Sequence, residues 1–259
     1  MNKKNIDIKQ SKILNKSPYF SIITVVKNSE TTIEKTIKSV IKQRFKNFEY
    51  IVIDGQSNDG TLNKIKKYQK YINLFSSKPD KNLWDAMNRG IKMSRGEIIA
   101  FLNAGDVYYS SALNMVSNYF SKHKLDFLFA SVKKERVYHG YYPKKIFYKF
   151  NIYPAHSCGF FIKKKSQIQI GYYDTKLKYG ADLDLFYKIS SNTNLIGMST
   201  KKNEITGKFD LNGISSKIPF YKRYYYESLV RYKNNQNIVF IIILYILNIV
   251  NKLRNIIIK

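Results

Sequence analysis

Four short stretches of this chain carry side chains whose type and spacing could do chemistry: VIDGQSNDGT (52–61), SSKPDKNLWDAMNRGI (76–91), FLNAGD (101–106) and YGADLDL (179–185). In the first, Asp54 closes an apolar run, where a carboxylate can accept hydrogen bonds from a uracil or a ribose. Gly55 and Gly60 permit close backbone approach, and Asp59 or Thr61 suits a helix cap, so a plain turn with a cap is the other reading. In the second, Asp80, Asp85, Asn88 and Arg89 surround one helix start, and the last three lie within a turn of each other and can present one face. Arg89 has two readings, a phosphate partner or part of a solvated face above Trp84 and Met87. In the third, a strand-like run ends in a lone carboxylate, Asp106, behind Gly105. Mg²⁺ and Mn²⁺ prefer oxygen ligands and Mg²⁺ keeps several waters, so Asp106 with the Asn103 carbonyl oxygen is a candidate cation site; a turn capped by Asp106 is the alternative. In the fourth, Asp182 and Asp184 open a helix about 200° apart, so they cannot serve the same hydroxyl. Either also suits the helix dipole.

These residues need a frame to hold them. The apolar, β-branched runs YFSIITVV (19–26), FEYIVID (48–54), INLFSS (72–77) and EIIAFLN (97–103) read as buried strands. Between them, 29–43, 62–72 and 82–94 show helical spacing, and 179–190 starts a further helix. Alternating strands and helices predict an α/β fold with a mostly parallel sheet, whose ligands bind beyond the carboxyl ends of the strands. The carboxylates above gather there in a chain otherwise crowded with lysine.

The chain has 259 residues and a formal net charge of +27, which calls for an anionic partner: a phosphorylated ligand, an acidic membrane face or nucleic acid. Lys, Asn, Ile and Tyr are abundant throughout, so part of the charge reflects composition, and nucleic acid is not expected. The single cysteine, Cys158, excludes an intramolecular disulfide and a Cys-rich zinc site. No glycine–lysine phosphate loop or Rossmann glycine fingerprint is present. Residues 1–18 read as a polar lead-in without secretory character, which makes the cytoplasm the expected compartment. Residues 19–216 form the main domain, and 217–259 a helical, partly apolar extension. Its apolar run, 238–250, is short for a spanning helix, which needs about 20 residues. The aromatic and basic residues of 221–259 suit an in-plane contact with an anionic leaflet, and packing on the domain or on another subunit is the other reading.

SIITVVKN, IVIDGQSNDGT, SSKPDKNLWDAMNRGIKMSRGEIIAFLNAGDVY and GADLDL occur in an order and at a spacing that resemble the family-2 inverting glycosyltransferases of the GT-A fold, over roughly residues 19–190. Within that family the likeness is to bacterial enzymes of surface-polysaccharide assembly. The resemblance implies a GT-A, Rossmann-like sheet, a UDP-sugar donor and a saccharide or lipid-linked acceptor at the inner face of the cytoplasmic membrane. It implies nucleotide contacts at Thr24, Val26 and Asp54, and donor contacts around Asp85, Asn88, Arg89 and Asn103. It puts the catalytic base at Asp182, with Asp184 structural or orienting. The family's Asp-x-Asp falls on Asn103 and Gly105, so a Mg²⁺ or Mn²⁺ would be left with Asp106, and with His156, which matches a histidine near the diphosphate in some relatives. Gly213, Ser215 and Ser216 resemble a late loop that closes over the donor. A nucleotidyltransferase-type enzyme lacks its phosphate loop here, and a basic binding module would not account for acids at successive strand ends.

Overall fold

The computed structural model describes residues 6–9, 17–149, 157–210 and 218–257. In chain order the main elements are β1 (Ile6–Lys9), β2 (Phe20–Val26), α1 (Ile33–Ile41), β3 (Phe48–Asp54), α2 (Thr61–Lys67), β4 (Leu74–Ser77), α3 (Leu83–Met93), β5 (Ile98–Phe101), β6 (Val107–Tyr108), α4 (Ala112–Lys122), β7 (Phe127–Phe129), β8 (Ser131–Lys133), β9 (Val137–Tyr138), β10 (Phe160–Lys163), α5 (Lys164–Ile170), α6 (Ala181–Ser191), β11 (Gly197–Ser199), β12 (Ile205–Lys208), α7 (Phe220–Lys233) and α8 (Ile238–Ile257).

An eight-stranded sheet runs β1-β4-β3-β2-β5-β10-β7-β11. Its centre, β4-β3-β2-β5, is parallel, while β10 runs antiparallel to both β5 and β7. β2 and β5 are buried along their whole length, which is why they read as continuous apolar runs and not as alternating ones. Polar atoms inside the sheet are paired: Glu49 accepts from Ser21 Oγ at 2.6 Å, Gly96 N at 3.2 Å and Arg95 Nε at 3.1 Å. A second sheet, β6-β12-β8-β9, lies beyond β5 in the chain. The lead-in contains a strand that composition does not suggest: β1 pairs antiparallel with β4 at the sheet edge.

Helix α3 follows its sequence signals. Asn82, in extended conformation, accepts from the Trp84 and Asp85 amides and caps the helix. Gly90 lets α3 press onto β2: a Cβ there would stand 2.5 Å from Ile23 Cγ2. Gly90→Ala is expected to cost about 1–3 kcal/mol of overpacking, more than the roughly 1 kcal/mol that alanine returns in helix propensity. Urea unfolding of the variant, with a lower midpoint at unchanged slope, is the check.

Candidate active site

The carboxyl ends of β2 and β3 carry two latched loops. Asn28 N donates to Ser57 Oγ at 2.8 Å, Asn58 N to Asn28 Oδ1 at 3.0 Å, and Ser29 N to Thr61 Oγ1 at 2.8 Å. Asn28 (φ 48°) and Gln56 (φ 60°) occupy the left-handed region without being glycine, strain that a rim held this tightly can sustain. Asp54 is fully buried and accepts from Ser57 N at 3.0 Å, Ser57 Oγ at 2.5 Å and Ser77 Oγ at 2.6 Å. Its carboxylate thus shapes the loop at the end of β3, where the sequence suggests a nucleotide contact. The Thr24 hydroxyl is buried in the sheet, bonded to Leu102 O at 2.8 Å and to Tyr50 Oη at 3.0 Å. Val26 offers its carbonyl to Gly55 N at 2.8 Å and so joins the two strand ends.

Asp85, Asn88 and Arg89 do not form one face. Asn88 is buried and exchanges two hydrogen bonds with the Tyr173 backbone, at 2.8 and 2.9 Å. Asp85 accepts from Lys81 N at 3.2 Å. Arg89 is not a solvated side chain. Its Nη2 donates to Asp80 Oδ2 at 2.8 Å and to the Asp54 carbonyl at 3.2 Å, and its Nε and Nη1 are buried with no acceptor among the described residues. Asp80, given no role by the sequence, is the acid this arrangement perturbs. Burial pushes its pKa up to about 6, against the pull of Arg89 and with the added repulsion of Asp85 and Asp54. Its folded pKa lies above the unfolded value of 3.8, so the folded state holds the proton longer, and this group's contribution to stability falls as pH rises. The melting temperature of wild type relative to Asp80→Asn is expected to drop between about pH 4 and pH 6. A difference that stays flat across that window would contradict the assignment.

At the end of β5, Gly105 takes φ +102°, and its amide donates to Thr36 Oγ1 at 2.9 Å. Asp106 is 3% exposed and accepts from Asp210 N at 3.0 Å. Burial raises its pKa to about 7; the Asp210 amide and Lys35 oppose the rise, and the Asp210 charge adds to it. Asn103 donates from Nδ2 to Ser157 Oγ at 3.2 Å, while its Oδ1 is buried with no donor among the described residues. No group of three or more His, Cys, Asp or Glu side chains that could hold a metal comes together among the described residues. The corner is thus thin but chemically consistent, offering oxygen ligands only, from Asn103 and Asp106, to a hard cation. His156 and the loop at 211–216 lie outside the described residues.

Asp182 opens α6, next to Gly180 at φ +82°, and its Oδ1 accepts from Leu183 N at 2.9 Å. Tyr173 ties it to the rim. The ring stacks on Trp84 of α3 at 5.6 Å and meets Phe101 of β5 edge-on at 6.0 Å. Burial, and next the Asp182 charge, drive the Tyr173 phenol well above its ordinary range. Asp184 faces elsewhere: it is buried and binds Lys188 at 2.9 Å, Lys233 at 3.0 Å and Asn234 at 2.9 Å, joining α6 to α7. Sequence reasoning named Asp80 but not its pairing with Arg89, and missed the Tyr173 junction; the partners lie 9 and 85 residues apart in the chain.

With this geometry in view, the comparisons are specific. Residues 21–178 match the model of Glycosyl transferase family 2. Among curated proteins, the chain is 32% identical over 112 residues to the Escherichia coli UDP-Glc:alpha-D-GlcNAc-diphosphoundecaprenol beta-1,3-glucosyltransferase WfgD, which covers 43% of this chain and 44% of that one. It is 34% identical over 140 residues to the Staphylococcus aureus poly(ribitol-phosphate) beta-N-acetylglucosaminyltransferase TarP, covering 52% of this chain and 42% of that one. The chain therefore spans less than half the length of these relatives. Among solved structures, S. aureus TarS 1-349 with UDP-GlcNAc superposes with a TM-score of 0.64 at 21% identity, over 86% of this chain and 69% of that one. The Pyrobaculum calidifontis mannosyltransferase PcManGT with GDP-Man and Mn²⁺ gives 0.65 at 14% identity, over 86% and 66%. These likenesses confirm the expected GT-A sheet. The family match extends over most of the chain and takes in β2 to β10 together with the Asp54, Arg89 and Asp106 corners; the chain belongs to Glycosyl transferase family 2.

Proposed function

We propose that the protein transfers a hexose or N-acetylhexosamine, with inversion, from a UDP-sugar to a saccharide or lipid-linked saccharide in bacterial surface-polysaccharide synthesis. The observation that carries this is Asp182, a half-buried carboxylate at the start of α6 whose oxygen accepts from Leu183 N and whose charge acts on the Tyr173 phenol, a ring packed on both α3 and β5. The acceptor oxygen bonds to the anomeric carbon as the bond from that carbon to the diphosphate breaks. The hydroxyl proton passes to the Asp182 carboxylate, and UDP departs with the electron pair. Arg89, with two buried donor groups that lack an acceptor among the described residues, suits the diphosphate, and the latched loops of 28–30 and 56–61 suit the nucleoside. Asp106 and Asn103 are the residues that would hold Mg²⁺ or Mn²⁺, which when bound neutralises charge on the leaving diphosphate.

WfgD is named for a UDP-glucose donor and a diphosphoundecaprenol-linked acceptor, and TarS is recorded with UDP-GlcNAc. Both agree with a UDP-sugar donor, and the first with a lipid-linked acceptor. Incubation of the purified chain with a panel of UDP-sugars and polyprenyl-diphosphate saccharides is expected to consume one donor and give a product of inverted anomeric configuration by NMR. If no donor is bound or consumed, the proposal fails. Chelation is expected to slow turnover; undiminished turnover would assign the neutralising role to Arg89 and the surrounding lysines.

A further inference from the structure

Helix α8 is inside out. The apolar run of the sequence is only part of it, because the helix continues to Ile257 and reaches 20 residues. Ile241 and Leu244 turn inward, and Leu244 packs with Tyr224 of α7. At 100° per residue, Asn248, Asn251, Lys252 and Asn255 fall on the same side of the helix as these two, the last three of them exposed beyond the contact with α7. The opposite side carries Val239, Ile242, Ile243, Ile246, Val250 and Leu253, each 46–60% exposed. A helix of a water-soluble surface shows the reverse polarity.

We infer that this outward stripe lies in the interfacial plane of an anionic lipid bilayer, parallel to its surface. Charge complementarity selects this occupant. Between residues 218 and 257, six basic side chains face one acid, Glu227, and that acid is buried against Arg231. Arg254 stands at the edge of the stripe, where its stem can follow the apolar face while the guanidinium reaches the headgroups. Tyr221, Tyr225 and Tyr232 are exposed on α7, residues of the kind that settle at the membrane–water boundary. A second copy is the less suitable occupant, since each copy carries a net charge of +27. A spanning orientation satisfies length, as Ile238–Asn255 is apolar enough and only 11% buried. It would strip α8 from α7 and put Asn248, Asn251, Lys252 and Asn255 into hydrocarbon.

The inference deepens the proposed lipid-linked acceptor and rests on that reading only for why a membrane is useful. Flotation of the full chain is therefore scored without any sugar donor, so that either can fail alone. Wild type is expected to float with vesicles of phosphatidylcholine and phosphatidylglycerol, and far less with phosphatidylcholine alone. The combined variant Ile242→Ser, Ile246→Ser, Val250→Ser is expected to lose about tenfold in binding at unchanged melting temperature. As a second reading on the otherwise native chain, an environment-sensitive fluorophore on Val250→Cys should shift to the blue on anionic vesicles; Cys158 is buried and stays unlabelled. The inference is overturned if wild type stays soluble with both vesicles, if it resists alkaline carbonate extraction as a spanning helix does, or if it forms a dimer that the triple variant dissolves.

Discussion

Asp182→Asn is expected to reduce sugar transfer by about 10²–10⁴-fold while donor binding stays at the wild-type level. The substitution keeps the size of the side chain and an oxygen to accept from Leu183 N, so the start of α6 is preserved. What is lost is the ability to take the acceptor proton as the new glycosidic bond forms. The effect should fall on kcat, with little change in the donor Kd, measured by calorimetry with UDP and by product formation. Asp184→Asn provides the contrast. Its carboxylate is spent on Lys188, Lys233 and Asn234, so that variant should melt earlier and retain its chemistry once folded. An Asp182→Asn enzyme of full activity would move the base elsewhere.

Arg231→Ala is expected to cost about 3–5 kcal/mol of stability, the largest loss predicted for a side chain outside the active site. Arg231 is fully buried. Its guanidinium donates to the carbonyls of Phe147 and Lys149, to Tyr187 Oη at 3.1 Å and to Gln236 Oε1 at 3.0 Å, and it pairs with Glu227 at 3.4 Å. Truncation removes a buried donor from each of these acceptors, one of them charged. Arg231→Lys keeps the charge but not the fork, and should recover only part of the loss. Chemical denaturation of the three proteins ranks them; equal midpoints would mean that α7 docks by other contacts.

The central strands were legible because burial on both faces removes alternation, leaving FSIITVV and YIVID as plain apolar runs. β1 was not, since IDIK is four residues long with polar neighbours and acquires its meaning only beside β4. The strands of the second sheet, two to four residues each, offer no period to read. In the site, residue types were legible but their partners were not. Asp54 reads as an acceptor, and only the structure shows Ser57 and Ser77 donating to it. Asn88 reads as a donor contact until it is seen holding Tyr173. The polarity of α8 was there to be read: placing Asn248, Asn251 and Asn255 on a wheel puts them opposite Ile246 and Val250, though only the packing on α7 shows which side faces out.

The reversal of β10 has a consequence for how such a chain can change over time. Phe161 pairs with Ala100 and Lys163 with Ile98, so β10 starts where β5 finishes. The polypeptide entering it, at Ser157, arrives beside Asn103, on the rim that carries the chemistry. The other strands of the parallel centre deliver only their exits to that rim. With β1, which starts where β4 finishes, β10 is one of two strands that enter at the edge where the parallel centre exits, so the segment feeding it can lengthen or shorten while every strand keeps its register.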